Sequence, residues 1–345
     1  MIGGQVPPDH PDHLVIAIAA GHTSARHPAR TPRFRQACGN VAAMAPPYTF
    51  AKERERREVH MKTVSATAVS TPRPDTSDGV LVDAAWLQAH LADPRVRVIE
   101  VDVSAAAYND WHIDGAVLWN VYADLKDADY HLADTAALER LVARSGIDLD
   151  STVVFCGYAP ALGLWLMKLY GHPDARILNC SRDTWRAEGY SCSTVASEPQ
   201  AGGFRLVGED SRIRADRAAV YEAIGRPGTA LVDVRSAAEY QGERFWPSGG
   251  MEPGGRAGHV PSAVHQPIDG IYHQDGSFRS AEELRHLFAP TVAENNGELI
   301  TYCTIGGRAA TAWFVLAHLI GRDRVRVYDG SWAEWGRIPE TPVTT

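Results

Sequence analysis

Apolar and polar positions alternate in blocks along most of this chain. Short apolar runs rich in β-branched residues are followed by longer stretches of helical character. Strands are predicted at 96–101, 153–155 and 176–178, and helices at 136–144 and 162–170. Short strands that alternate with helices are typical of a parallel sheet with helices on both faces. The pattern therefore predicts an α/β fold, in which ligands lie beyond the carboxyl ends of the strands.

This pattern occurs twice. His112 and His259 lie in similar local sequences and are 147 positions apart (259 − 112). Cys156 and Cys303 follow similar apolar runs and are separated by the same 147 positions (303 − 156). An offset that stays constant between distant motifs indicates two copies of one domain in tandem.

The repeat divides the chain into four parts. Residues 1–77 carry many prolines and scattered arginines without an apolar face, so we expect a disordered or extended segment. An alternative is that Met61 is the natural start of the protein. The first domain is predicted at 78–190, a Ser-, Pro- and Gly-containing linker at 191–211, and the second domain at 212–338.

A six-residue stretch, 303–308, joins a predicted strand at 299–302 to an apolar helix at 309–320. It begins with Cys303 and ends with Arg308. Loop amides and the positive end of a helix dipole favour an anion at such a turn, and a cysteine there should be partly thiolate at neutral pH. The two glycines before Arg308 let the backbone curl around the sulfur. The stretch therefore predicts a nucleophilic cysteine in an anion cradle.

Together with 231–240, 256–263 and 325–332, this loop resembles the signatures of a rhodanese, or sulfurtransferase, domain. The resemblance covers nearly all of 212–337. It implies two tandem rhodanese-like domains, each a parallel sheet flanked by helices. It also implies a double displacement, in which the Cys303 thiolate takes the outer sulfur of a donor as a persulfide and passes it to a nucleophilic acceptor.

The residues in and around the loop can be given expected roles. Cys303 and Arg308 are the expected catalytic residues, although Arg308 could equally brace the loop. Substrate binding is assigned to four loop residues and two cleft arginines: Thr304, Ile305, Gly306, Gly307, Arg244 and Arg256. Structural roles near the site are assigned to an ion pair and a loop brace: Asp233, Arg235 and His259.

The first copy lacks part of this chemistry. After Cys156 no cation follows in the loop, and Pro160 removes one amide from any cradle. Tandem rhodaneses typically keep one active copy, the C-terminal one. We therefore expect the first domain to be non-catalytic and to wall the cleft.

Other chemistries remain open at the loop. Phosphatases place five residues between cysteine and arginine, whereas four separate Cys303 from Arg308 here, which suits a single sulfur atom better than a phosphate. Among donors, thiosulfate is favoured over 3-mercaptopyruvate, because the loop is not Cys-Gly-Ser-Gly-Val-Thr and Glu239 stands where mercaptopyruvate enzymes carry arginine. A further alternative is a sulfur carrier that docks a biosynthetic enzyme without rapid turnover.

Composition narrows the partners. The net charge of −8 argues against nucleic-acid binding. The sequence contains no run of 18 apolar residues, so no transmembrane helix is expected. Five cysteines without metal-ligand spacing suggest free thiols in the cytoplasm, with no metal and no cofactor. The expected partners are a small anionic sulfur donor and a cyanide, thiol or thioredoxin-like acceptor.

Overall fold

The computed structural model describes residues 79–345, and the expectations for residues 1–77 and for Met61 lie outside that range. The first domain contains seven strands: β1 (Leu81–Val82), β2 (Val96–Asp102), β3 (His112–Ile113), β4 (Val117–Asn120), β5 (Thr152–Gly157), β6 (Ala175–Leu178) and β7 (Cys192–Ser193). Its helices are α1 (Ala84–His90), α2 (Ala106–Asp110), α3 (Thr135–Arg144), α4 (Pro160–Leu169) and α5 (Arg182–Ala187), with a π-helical segment at Val121–Leu125.

The second domain contains five strands: β8 (Arg214–Ala215), β9 (Thr229–Asp233), β10 (Val264–His265), β11 (Glu298–Tyr302) and β12 (Val325–Tyr328). Its helices are α6 (Arg217–Ala223), α7 (Ala237–Tyr240), α8 (Ala281–Leu287), α9 (Pro290–Ala293), α10 (Gly307–Phe314) and α11 (Ser331–Trp335). A π-helical segment, Val315–Ile320, continues α10, so the predicted helix at 309–320 is present but changes its winding.

The two main sheets have the same topology. Their strand orders are β4-β2-β5-β6-β1 and β10-β9-β11-β12-β8, and every neighbouring pair in them is parallel. Each strand of one sheet has a counterpart at the same place in the other. The tandem repeat read from the sequence is therefore a repeat of fold.

The central strands β5 and β11 lie between two layers of helices, and their interior residues are buried. This explains their continuous apolar sequence, since a parallel strand is covered on both faces. Local signals set the helix starts: α3 follows Asp134, whose side chain accepts the N–H of Ala137 at 2.8 Å.

One apolar core runs across both domains. Helix α4 packs against α10, and buried residues of both domains, such as Phe155, Trp165, Val232 and Phe314, belong to the same cluster. The indole N–H of Trp165 donates to the carbonyl of Ile213 (3.0 Å), which adds a polar contact. The helix that follows the Cys303 loop is thus held from the other domain.

The predicted linker 191–211 is partly structured. Cys192–Ser193 forms β7, which pairs antiparallel with β3. Further along, Phe204 is buried and its N–H donates to the carbonyl of Ile147 (3.1 Å), so the segment packs on the first domain. Within residues 79–345, no helix has both the length and the apolar character to cross a membrane.

Candidate active site

Cys303 lies immediately after β11, at the carboxyl end of the central strand. Its Sγ accepts the main-chain N–H of Gly306 (3.2 Å), and its own N–H donates to Ser331 Oγ (3.1 Å). Gly306 adopts φ +94°, a conformation that favours glycine and turns its amide towards the sulfur. Helix α10 begins at the next residue, so its positive end also faces this loop.

A second loop, which follows β12, supports the first. The N–H groups of Trp332 and Ala333 donate to the carbonyls of Cys303 (2.9 Å) and Thr304 (2.8 Å). Ser331 has φ +51°, and its hydroxyl donates to the carbonyl of Tyr328 (2.7 Å). Both carbonyls are thus engaged from behind, on the side away from the Gly306 N–H that donates to the sulfur.

Arg308 closes the loop through a carboxylate. Its guanidinium donates to Glu239 at 2.9 and 2.7 Å and to the hydroxyl of Thr304 at 2.8 Å. Burial alone would raise the pKa of the Glu239 carboxyl, but Arg308 and the hydroxyls of Thr304 and Ser236 outweigh it and lower the pKa to about 2. Glu239 is therefore ionised throughout the physiological range, and the pair is a fixed bidentate brace.

A cleft of about 210 Å³ opens beside the cysteine. The second domain lines it with Trp246, Pro247, Ser248, Cys303, Thr304, Ile305, Gly307 and Arg308. The first domain lines it with Val103, Val121, Tyr122, Tyr158 and Ala159. Cys303 is only 1 % exposed, so a reactant reaches its sulfur through this cleft.

Comparison of the sequence with models of known protein families agrees with this architecture. A family model described as "Rhodanese-like domain" matches residues 83–188 and 216–337. The chain belongs to the rhodanese-like family. It has two copies of the domain.

Several relatives of this rhodanese-like protein align with it over nearly their whole length. A Thermus thermophilus protein named "Sulfur carrier protein TtuD" is 38 % identical over 76 % of this chain and 96 % of its own. A Haloferax volcanii protein named "Putative thiosulfate sulfurtransferase" is 38 % identical over 78 % of this chain and 97 % of its own. The Mycobacterium tuberculosis protein of the same name, SseA, is 39 % identical over 76 % and 90 %.

Solved structures share the fold. EanB, captured as a persulfide with ergothioneine, superposes with a TM-score of 0.69 at 23 % identity, over 78 % of this chain and 71 % of its own. The anaerobic ergothioneine biosynthesis enzyme of Chlorobium limicola gives 0.66 at 24 % identity, over 77 % and 70 %. At this identity the likeness concerns architecture alone.

The two cleft arginines expected from sequence do not line the cleft. Arg256 donates to the carbonyls of Trp335 (3.2 Å), Pro339 (3.2 Å) and Thr341 (2.6 Å), and also to that of Ile338. Its guanidinium therefore holds the C-terminal segment and does not line the cleft, and its expected substrate-binding role stays a prediction. Arg244 donates to Ser236 Oγ (3.2 Å), beside Glu239, and is likewise absent from the cleft wall.

The residues assigned to structural roles lie behind the loop. Asp233 and Arg235 form a fully buried pair (2.6 Å), and the Arg235 guanidinium lies 4.5 Å from the ring centroid of Trp332. His259 Nδ1 is 3.0 Å from the carbonyl of Tyr240, and the two rings stack. None of these three side chains lines the cleft.

The equivalent cysteine of the first domain has different surroundings. Cys156 lies inside β5, opposite Glu100 of β2, and Glu100 pairs with Arg182 at 2.5 Å. Burial, and then the Glu100 carboxylate, raise the pKa of the Cys156 thiol well above its ordinary value. A thiol in this environment stays protonated at neutral pH and is a poor nucleophile.

Two residues of the site escaped sequence reasoning. Glu239 was noted only as a difference from mercaptopyruvate enzymes, although its place in a Ser236–Glu239 capping box was readable as Ser-x-x-Glu. Lys126, of the first domain, donates from Nζ to the carbonyl of Asp329 (2.8 Å) beside the Cys303 loop. Nothing in its local sequence signals that contact.

Proposed function

We propose that this protein is a sulfurtransferase that carries a sulfane sulfur on Cys303 as a persulfide. The observation that carries the proposal is the Gly306 N–H directed at Cys303 Sγ (3.2 Å), at the wall of a cleft and at the start of α10. An amide and a helix N-terminus stabilise an anionic sulfur, which is both the nucleophile and the persulfide product.

The reaction takes two displacements. The Cys303 thiolate attacks the outer sulfur of thiosulfate, a new S–S bond forms, and the old S–S bond breaks with its electron pair leaving on sulfite. An acceptor such as cyanide or a thiolate then attacks the outer sulfur of the persulfide, and the Cys303 thiolate is regenerated. No general base is required, because each nucleophile enters as its anion.

The distribution of charge along the cleft is consistent with a small anionic sulfur donor. Among the residues that line it in the described chain, Arg308 is the only cation, and Glu239 holds it in a bidentate pair. A donor anion therefore meets loop amides and the end of α10 rather than a free guanidinium. Thiosulfate is the donor we propose, and 3-mercaptopyruvate is the alternative.

Mass spectrometry of intact protein and of the Cys303 peptide after exposure to thiosulfate tests the proposal. We expect a gain of one sulfur atom on Cys303, reversed by cyanide. Cys303→Ser should abolish the gain, and Cys156→Ser, the matched change in the first domain, should retain it. Loading from 3-mercaptopyruvate alone would assign the other donor, and no loading from either would contradict the proposal.

A carrier role is the second candidate, and the 38 % identity with a protein named as a sulfur carrier favours it. The chemistry at Cys303 would be the same, but release would require a partner protein. Single-turnover release of sulfur from the loaded protein, with cyanide and with reduced thioredoxin compared at equal concentration, separates the two. Rapid release to cyanide favours the enzyme, and persistence of the persulfide in both favours the carrier.

A further inference from the structure

Lys126 is a buried lysine of the first domain that packs against the Cys303 loop. It follows the π-helical segment Val121–Leu125, and its side chain is 0 % exposed. A Cβ placed on Gly306 would lie 3.3 Å from Lys126 Nζ. The ammonium therefore lies beside Gly306, the residue whose N–H donates to the sulfur of Cys303.

The countercharge of Lys126 is incomplete. Its Nζ lies 3.9 Å from Asp329 Oδ2, and its short contact (2.8 Å) is to the main-chain carbonyl of Asp329 instead. The carboxylate of Asp329 already accepts Arg214 Nε (3.0 Å) and the N–H of Leu132 (3.0 Å). One carboxylate therefore serves two cations, and an isolated buried ammonium is costly.

We propose that Lys126 is a positioning residue for sulfur transfer, whose charge, supplied across the domain interface, holds Cys303 and its persulfide in the anionic form. The proposal deepens the proposed function and rests on it. It gives the first domain a part in the reaction beyond walling the cleft. The step itself is unchanged, because Lys126 neither gives nor takes a proton.

The electrostatics of the interface agree with this arrangement. Burial lowers the pKa of Lys126, whereas the negative charges of Asp329 and then of Cys303 act to raise it. The thiolate and the ammonium therefore stabilise each other. Around Lys126, the other charged groups are Arg214 and Asp127. Around Cys303, the other charged or titratable groups are Tyr122 and Arg308, which is paired with Glu239.

Arg308 does not duplicate this contribution. Its charge is matched by Glu239 at 2.7 Å, and that carboxylate is fully buried. Arg308 also interacts with the charge of Cys303, but it does so as one member of an ion pair, so Lys126 adds a further positive charge from the other domain. Lys126 differs from Arg308 in this respect, because its neighbouring carboxylate, that of Asp329, also pairs with Arg214.

The test is the pH dependence of Cys303 alkylation by iodoacetamide, followed on the Cys303 peptide in the full-length protein. Lys126→Met removes the charge, and Lys126→Gln removes it while keeping an N–H for the carbonyl of Asp329. We expect both to move the half-maximal pH of alkylation upward by about one unit. Loading from thiosulfate at neutral pH should fall by about tenfold and recover at higher pH.

Two variants serve as controls. Lys126→Arg keeps the charge and should stay close to the wild-type profile. Lys168→Met removes a partly buried lysine of the same domain that donates to the carbonyl of Pro173 (3.2 Å), and it should leave the profile unchanged. A folded Lys126→Gln protein with the wild-type profile would overturn the proposal, as would an equal shift in Lys126→Arg.

A second measurement needs no change at residue 126. The chain has four lysines, so their ¹³Cε resonances can be assigned and titrated. Because coupling is reciprocal, Cys303→Ser should lower the pKa of Lys126 and leave Lys168 unaffected. Identical titrations of Lys126 in the two proteins would count against the proposal even if the lysine variants fail to fold.

The outcomes also separate this inference from the proposed function. Alkylation needs no sulfur donor, so a shifted profile would establish the coupling even if Cys303 gained no sulfur. If Cys303 is loaded by thiosulfate and Lys126→Gln keeps the wild-type profile, only the role of Lys126 is wrong.

Discussion

At the scale of single residues, the site includes buried side chains that do not line the cleft. Glu239 is fully buried, and its carboxylate receives Arg308, Thr304 and Ser236. By fixing Arg308 it also decides how much positive charge the cleft presents. The ionised Glu239 carboxylate therefore affects both the stability of the fold and the charge of the cleft.

Glu239→Gln should lower the free energy of unfolding by about 3 kcal/mol at pH 7, because the pKa of the carboxyl falls from 4.5 in the unfolded chain to about 2 in the folded one. This stabilisation is fully present above pH 4.5 and is lost as the pH falls towards 2. Urea denaturation of wild type and variant at several pH values measures it. The gap between the two proteins should close in acid.

Glu283 offers a matched control, since it forms the same capping box with Ser280 on an exposed helix. Glu283→Gln should change stability little at any of these pH values. An equal loss in both variants would mean that the capping box, and not the buried pair with Arg308, supplies the effect.

Arg256→Ala should destabilise the protein by about 3 kcal/mol without changing KM for thiosulfate. Its guanidinium donates to main-chain carbonyls of the C-terminal segment, and hydrogen bonds from a charged donor are the strong ones. Denaturation curves and steady-state kinetics measure the two effects. Arg212→Ala, which removes an exposed arginine paired with Asp210, should alter neither. A raised KM would restore the substrate-binding role that sequence suggested.

Sequence located the residues of the site that are close together in the chain. Cys303, Arg308 and the four residues between them were readable because one turn holds them all. Glu239 is 69 positions from Arg308, and Lys126 is 203 positions from Asp329, so their contacts exist only once two elements or two domains have packed. The position of the Arg256 guanidinium was not predictable, because a long cation beside a motif can turn to the cleft or to the C-terminal segment.

At the scale of elements, the loop from Cys303 to Gly306 is a compact turn fixed from two sides. Helix α10 begins where it ends, and the loop after β12 engages its carbonyls. The strand and the helix around it were predictable from apolar content. The π-helical winding of Val315–Ile320 was not, because apolar periodicity does not distinguish the two windings over so short a stretch.

Gly306→Ala should reduce sulfur loading of Cys303 by roughly 100-fold, because moving the Cys303 sulfur by about 1 Å is enough to lose the productive geometry. A Cβ at residue 306 would lie 2.9 Å from the carbonyl oxygen of Asp329, at a φ of +94°. Thiosulfate-dependent persulfide formation measures the loss.

Gly321→Ala is the control for backbone strain alone. Its φ of +86° is similar, but a Cβ there would meet nothing within 4 Å. We expect a loss of about 1 kcal/mol in stability with unchanged loading. If Gly306→Ala behaved in the same way, the loop would not need its present geometry for transfer.

At the scale of the whole molecule, the two domains were predictable as repeats, but the apolar core that they share was not. The constant offset of 147 residues reports homology of fold and carries no information about contact. The structure gives a single apolar cluster that includes buried residues of both domains, with α4 packed on α10. Lys126 and Leu132 cross the same boundary to reach Asp329. A site assembled in this way should depend on both domains being folded together.

We expect one calorimetric unfolding transition for the two domains, with a calorimetric to van 't Hoff enthalpy ratio of about one. Leu138→Ala in the first domain and Leu284→Ala in the second each remove a side chain that is 0 % exposed. Each should cost about 3 kcal/mol and lower the midpoint of that same transition. Separate peaks, with each substitution shifting only its own, would mean that the domains fold independently. The cation that Lys126 brings to the Cys303 loop would then persist only while they stay docked.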